Sequence, residues 1–236
     1  MNVNRPSIFV IAFAVGASAC VPSESSIRIG NAYSGEPASG GSTQKCDLSS
    51  NIFQNLGSYD VAQAPILNGA VISRAYRVVF SVDSNLMEVD VTANGVNVTG
   101  ATQNMFYYSG ATVSYSSDSP VLKGVKLPNE TWSLTGSLPA GTKDQRVETT
   151  ILGNKVIDAL YNALAPGDFE GATLLVHFAF TGRTYAGVAM TSSTFTYPIR
   201  VYNSGKTCPT GQVPLSKGLC NSAGQDGTGS DCAPAK

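Results

Sequence analysis

Two carboxylates, Glu88 and Asp90, stand two residues apart in a run that alternates apolar and polar side chains. On a strand this spacing puts both on one face with Cα atoms about 6.5 to 7 Å apart, near the separation that inverting glycosidases leave for a water between acid and base. That chemistry needs one carboxyl held in an apolar pocket that raises its pKa. Met87, Val89 and Val91 take the alternate positions, so the expectation is a buried apolar set with both carboxylates solvated and no catalysis from the pair. His177, the single histidine, is out of phase with Val176 and Phe178 and shares its side of a strand with Leu175 and Ala179, the outer side. A lone imidazole can serve as a general base, but no Gly-x-Ser-x-Gly elbow accompanies it, and the expectation is a surface or packing residue. Tyr107, Tyr108, Tyr115 and Trp132 could stack on sugar rings. Tyr115 and Trp132 fall on the apolar phase of their strands and are expected in the core, leaving one of Tyr107 and Tyr108 to point outward. Asp226 to Asp231 offers two carboxylates and several carbonyls to a calcium ion but lacks the EF-hand order and its closing glutamate, so a solvated turn is expected. No residue is assigned as catalytic, cofactor-binding or metal-ligating, and the chain is expected not to be an enzyme.

The N-terminus carries a more specific signal. Residues 1–19 comprise a short segment with one arginine, an apolar run from Ile8 and a small-residue stretch, the layout of an export signal. Ala17-Ser18-Ala19-Cys20 resembles the bacterial lipobox, and the resemblance implies lipidation of Cys20 and cleavage before it. Residues 20–45 are rich in Ser, Gly and Pro, which predicts a flexible tether reaching at most about 85 Å. The chain has five cysteines. Lipidation of Cys20 leaves Cys46, Cys208, Cys220 and Cys232 as disulfide candidates with three possible pairings, and any full pairing joins Cys46, ahead of the body, to a cysteine behind it. The two gaps within the tail are too long for a zinc motif of the Cys-x-x-Cys type.

These residues need a body to hold them. The 236 residues are 42% hydrophobic and 13% charged, with 15 basic and 16 acidic side chains. Such a balance gives no electrostatic footprint for nucleic acid and leaves Ser, Thr, Asn and Gly to cover the surface. Period-two alternation runs through Tyr76–Val82, Met87–Val91, Val113–Tyr115, Trp132–Leu134, Val147–Ile151, Leu174–Phe180 and Phe195–Val201, with turn signals such as Asn94-Gly95 between. About eight short strands predict an all-β fold, an immunoglobulin-like antiparallel sandwich over 46–204. One short helix is expected near Asn154 to Ala165, stopped by Pro166-Gly167. Residues 205–236 lose the alternation and are expected to form a disulfide-held tail.

Two stretches, 173–201 and the tail around Leu219-Cys220-Asn221-Ser222-Ala223-Gly224-Gln225-Asp226-Gly227 closing at Asp231-Cys232, resemble a group of uncharacterised bacterial lipoproteins of myxobacterial type. The resemblance implies outer-membrane anchoring and a β-sandwich; the group has no assigned function to carry over. Taken together, the expectation is a lipid-anchored, non-enzymatic module of the cell envelope at the outer membrane, without a cofactor, whose partner is an envelope protein or a polysaccharide. Carbohydrate binding is the alternative, and a hydrolase a more distant one.

Overall fold

The computed structural model describes residues 26–33, 36–37, 46–47, 53–63, 66–67, 70–71, 75–102, 104–214, 225–226 and 232–234. Cys20 and Cys220, two of the residues singled out above, lie outside them.

Two sheets face each other across an apolar core. One has three strands, with β3 (Tyr76–Ser84) between β1 (Ile27–Tyr33) and β6 (Gln145–Leu152). The other runs β5 (Glu130–Leu138), β4 (Phe106–Ser116), β7 (Asp168–Thr184), β9 (Phe195–Asn203) and β2 (Gly57–Asp60), with the short β8 (Ala189–Thr191) paired to β7. Pairing is antiparallel except at the edge, where β2 runs parallel to β9. This is the all-β sandwich that the alternation predicts. Val78, Phe80 and Val82 of β3 meet Leu174, Val176, Phe178 and Phe180 of β7 and Tyr197, Ile199 and Val201 of β9, all buried. The ring of Phe80 stacks on Phe178 at 5.0 Å between centroids and meets Phe195 edge-on at 5.3 Å, which ties the two sheets at their centre.

One helix, α1 (Asn154–Ala163), follows β6 and buries Val156, Ile157 and Leu160. It stops ahead of Pro166-Gly167 as expected, with Gly167 at φ +87°, and Tyr161 faces outward. Its entry is fixed by Glu130. One carboxylate oxygen accepts the Gly153 N–H at 2.9 Å and the Tyr115 hydroxyl at 2.6 Å. A Cβ at Gly153 would stand 2.2 Å from Glu130 Oε1 and 2.7 Å from the Trp132 ring, so a larger residue there has to push the carboxylate or the ring aside. Burial, reinforced by the Glu130 carboxylate, pushes the Tyr115 phenol well above its ordinary range. A Glu130→Ala variant is expected to lose about 1 to 3 kcal/mol in urea unfolding, because the Gly153 amide loses its acceptor and the half-buried Tyr115 hydroxyl keeps only Ile151 O at 2.9 Å. Since the folded state holds Tyr115 neutral, that contribution is intact below pH about 10 and lost as pH rises above it.

Three expectations are corrected. The tether does not extend over 20–45: Ile27, Ile29, Ala32 and Tyr33 are buried in β1, paired with β3. The reason is a short alternation about exposed Arg28, followed by a register shift between Ile29 and Ala32 that returns apolar side chains to the core. Met87 and Val89 are exposed, at 79% and 41%. Residues 85–89 are irregular, and the strand starts only at Asp90, where Asp90–Ala93 pairs with Val96–Thr102 in a hairpin outside both main sheets. Its turn, Asn94-Gly95, has positive φ at both residues, as a type I′ connection requires.

The third correction concerns the tail. Cys208 and Cys232 form a disulfide that closes a loop inside the expected disulfide-held tail; the remaining candidates are Cys46 and Cys220, the latter outside the described residues. Gln212–Pro214 pairs with Cys232–Pro234 beside it. Asp226 is no solvated turn residue. Its Oδ1 accepts the Ser58 N–H at 2.9 Å and the Tyr76 hydroxyl at 2.7 Å, while its own N–H donates to Ser58 O. Gln225, 2% exposed, accepts the Arg77 N–H and donates to Arg77 O. Strand β1 pairs with β3 only from Val79 onward, so the Gln225 amide continues the ladder where β1 has ended.

Candidate functional site

The outward residues of the six-stranded sheet line up in cross-strand rows set by the register. Thr131 of β5, Thr112 of β4 and Ala179 of β7 form one row. Ser114 and His177 with Thr196 of β9 form the next, and Ser116, Leu175 and Pro198 the one after. Thr173 and Arg200 close the series. This face is made of hydroxyls and small side chains, with His177 at its centre. It follows from alternation: every second residue of β4, β5, β7 and β9 goes to the core, and those left are Ser and Thr on β4 and β5, joined on β7 and β9 by His177, Ala179, Leu175, Pro198 and Arg200.

His177 is held from both sides. Its Nε2 lies 2.8 Å from Ser116 Oγ and its Nδ1 lies 3.0 Å from Thr196 Oγ1. A neutral ring donates from one nitrogen and accepts at the other, so one hydroxyl accepts while the other donates. Ser116 and His177 have the separation of a nucleophile and its base. Thr196 occupies the place that a carboxylate takes in a serine-hydrolase relay; it orients the ring but puts no negative charge behind an imidazolium. The arrangement therefore fixes an imidazole on an exposed polar face and does not charge it for proton abstraction.

Two hollows flank this centre along β7. One, of about 390 Å³, is bounded by Thr112, Ser114, Asn129, Glu130, Thr131, His177, Ala179 and Thr194. The other, of about 430 Å³, lies among Asp118, Ser119, Glu170, Gly171, Thr173, Leu175 and Arg200. A bulge shapes the second: the register between β7 and β9 shifts between Asp168 and Ala172, and Asp168 Oδ1 accepts the N–H groups of Glu170 and Gly171. Gly171 takes φ +61°, and a Cβ there would meet Val201 O at 2.0 Å. The Arg200 guanidinium donates to Phe169 O at 2.7 Å and to Glu170 O, which sets the wall.

The sequence candidates divide accordingly. His177 is on the outer face as read, yet its partners, Ser116 and Thr196, were not singled out; only the cross-strand register brings them together. Glu88 is exposed in the irregular segment before the hairpin, away from either hollow. Tyr107 points outward and Tyr108 packs on Phe180 at 5.5 Å, as the one-of-two expectation has it. Tyr107 lies 6.4 Å from the exposed Tyr185, beyond the rows described above. Trp132 and Tyr115 are half-buried against the core. Among the described residues no three His, Cys, Asp or Glu side chains gather as a metal site, and no helix is long and apolar enough to cross a membrane. Compared with known proteins, the chain matches no family model, no curated protein and no solved structure.

Proposed function

We propose that this chain is an exported, non-enzymatic module of the bacterial cell envelope, held at the outer membrane by a lipid on Cys20, that binds its partner with the outer face of the six-stranded sheet. The observation that carries the binding surface is the set of hydroxyl rows about His177 with a hollow on either side. The anchor rests on the lipobox resemblance and the odd cysteine it removes. The body is read as an immunoglobulin-like sandwich, which the two facing sheets and the parallel edge pair of β2 and β9 support.

Among partners, a neutral polysaccharide is favoured over a charged polymer by the composition of the face. Ser and Thr hydroxyls both donate and accept, as sugar hydroxyls do; Asp118, Glu170 and Arg200 stand at one end, and Glu130 in the other hollow is engaged by the Gly153 N–H and the Tyr115 hydroxyl. Strand β7 from Thr173 to Ala179 spans about 20 Å, room for several sugar units. The threonine that stands behind His177 in place of a carboxylate supports binding over hydrolysis.

The test has two arms. Cells fed an alkyne-tagged palmitate are expected to label the wild-type protein and not Cys20→Ala; equal labelling of both would remove the anchor. Purified protein is expected to retain envelope polysaccharide in affinity electrophoresis. A Thr112→Lys/Thr196→Lys double variant should shift that retention at least tenfold in Kd, and retention untouched by the pair would move binding off this face.

A further inference from the structure

Large apolar side chains are exposed at several places on this surface, and Phe53, Leu56, Val121, Tyr161 and Phe169 lie apart from the group that follows. Met87 (79% exposed), Tyr185 (62%), Val188 (60%) and Tyr107 (42%) belong to one end of the sandwich, and Val96 (69%) and Val98 (43%) are carried by the hairpin that leaves from it. The hydrogen bonds fix that placement. Ile27, where β1 begins, pairs with Ser84 at the end of β3, and the Asn85 N–H donates to Ser26 O, so the segment leading to Met87 leaves the body beside the incoming chain. The Asn104 side chain donates to Met87 O, which closes the hairpin's base at the same place. Phe106 pairs with Thr184 and the Tyr185 N–H donates to Met105 O, which joins the β7–β8 turn to the start of β4, while the Ser193 N–H, in the β8–β9 connection, donates to Ile27 O at the entry of β1.

We propose that this end lies on the bilayer, its aliphatic and tyrosine side chains in the interfacial layer, with the two sheets standing upright from the membrane. The inference rests on the reading of Cys20 as the anchor. Six residues, Val21 to Ser26, separate Cys20 from β1. Fully stretched they span about 20 Å, whereas β7, with 17 residues, is roughly 50 Å long. A lipid on Cys20 therefore brings the near end of the body to the headgroups and leaves the far end out of reach. The chemistry of the near end fits that position: tyrosine rings suit the boundary between hydrocarbon and water, and Lys143 and Arg183 flank them as partners for lipid phosphate. Exposed Glu88 keeps the contact shallow, at headgroup level. The hydroxyl face then stands perpendicular to the membrane and stays open to a partner.

Hydrogen exchange read by mass spectrometry tests this on the lipidated protein reconstituted in vesicles of phosphatidylethanolamine and phosphatidylglycerol, against the Cys20→Ala protein in buffer. Amides of 85–89, 94–98 and 185–188 should exchange at least tenfold more slowly on vesicles, and those around Tyr161 and Phe169 should not change. A Val96→Glu/Tyr185→Glu variant, altered only at exposed positions, should keep its thermal midpoint and lose the protection. Unchanged exchange at this end in a protein whose mass shows the lipid would overturn the proposal while leaving the anchor standing. Absence of the lipid mass would instead remove the anchor. Protection that appears without vesicles and grows with protein concentration would assign the surface to a second copy and overturn the proposal as well.

Discussion

Replacing Phe80 by alanine is expected to cost about 3 to 5 kcal/mol of unfolding free energy, the largest loss from any single truncation in the core. Phe80 has no exposed surface, and its ring touches Phe178, Phe195 and Tyr197 across the gap between sheets. Alanine would leave a cavity bounded by three rigid rings from two strands of a laddered sheet, which collapse poorly. For a domain of this size the thermal midpoint should fall by roughly 10 °C or more. Phe80→Leu, which keeps most of the volume, should cost less than half as much. Equal losses for the two would mean that ring contacts do not join the sheets.

The second large effect belongs to Gln225. Gln225→Ala is expected to destabilise by about 2 to 4 kcal/mol, since it strips both the N–H and the C=O of Arg77 of their partners at a buried edge. Asp226→Ala should act similarly by freeing the Ser58 N–H and the buried Tyr76 hydroxyl. The tail latch also carries a pH dependence. Burial first, and the Asp226 charge second, hold the Tyr76 phenol well above its ordinary value. Its contribution is therefore complete below pH about 10 and decays above it, so the tail is expected to release on the alkaline side. The Cys208–Cys232 disulfide encloses both latch residues in its loop. Opening it through a Cys208→Ser/Cys232→Ser variant should cost at most about 3 to 4 kcal/mol in the chain-entropy picture. Combined with Gln225→Ala the loss should fall short of the sum, because both changes free the same segment. Additive losses in chemical denaturation would separate latch from disulfide.

Those two residues mark what sequence reading reaches. Phe80 is legible: it sits in phase with Tyr76, Val78 and Val82, and a half-buried strand needs no other clue. Gln225 is not, because burial there is achieved by hydrogen bonding to a strand edge and leaves no apolar period in a run of Gly, Ser and Asp. The same limit hid β1, where seven residues with a register shift are set among Ser and Gly. It inverted Met87 and Val89 as well. Alternation records which side chains share a face, but burial requires a second layer over that face, and the hairpin at 90–102 has none of the main sheets beside it. The candidate site was half legible. Phase alone puts His177 outside, whereas its two hydroxyl partners lie 61 and 19 residues away in sequence and meet it only through pairing.

The hydroxyl face of the six-stranded sheet is proposed as the working surface of an envelope-anchored module. Photo-cross-linking in living cells tests it most directly, with a benzophenone amino acid placed at Thr112 or Thr196 on that face and, for comparison, at exposed Lys155 on α1. Both face positions are expected to capture the same envelope component, polysaccharide or protein, and Lys155 none of it. Capture of that component from Lys155 alone, or equally from all three positions, would contradict that proposal.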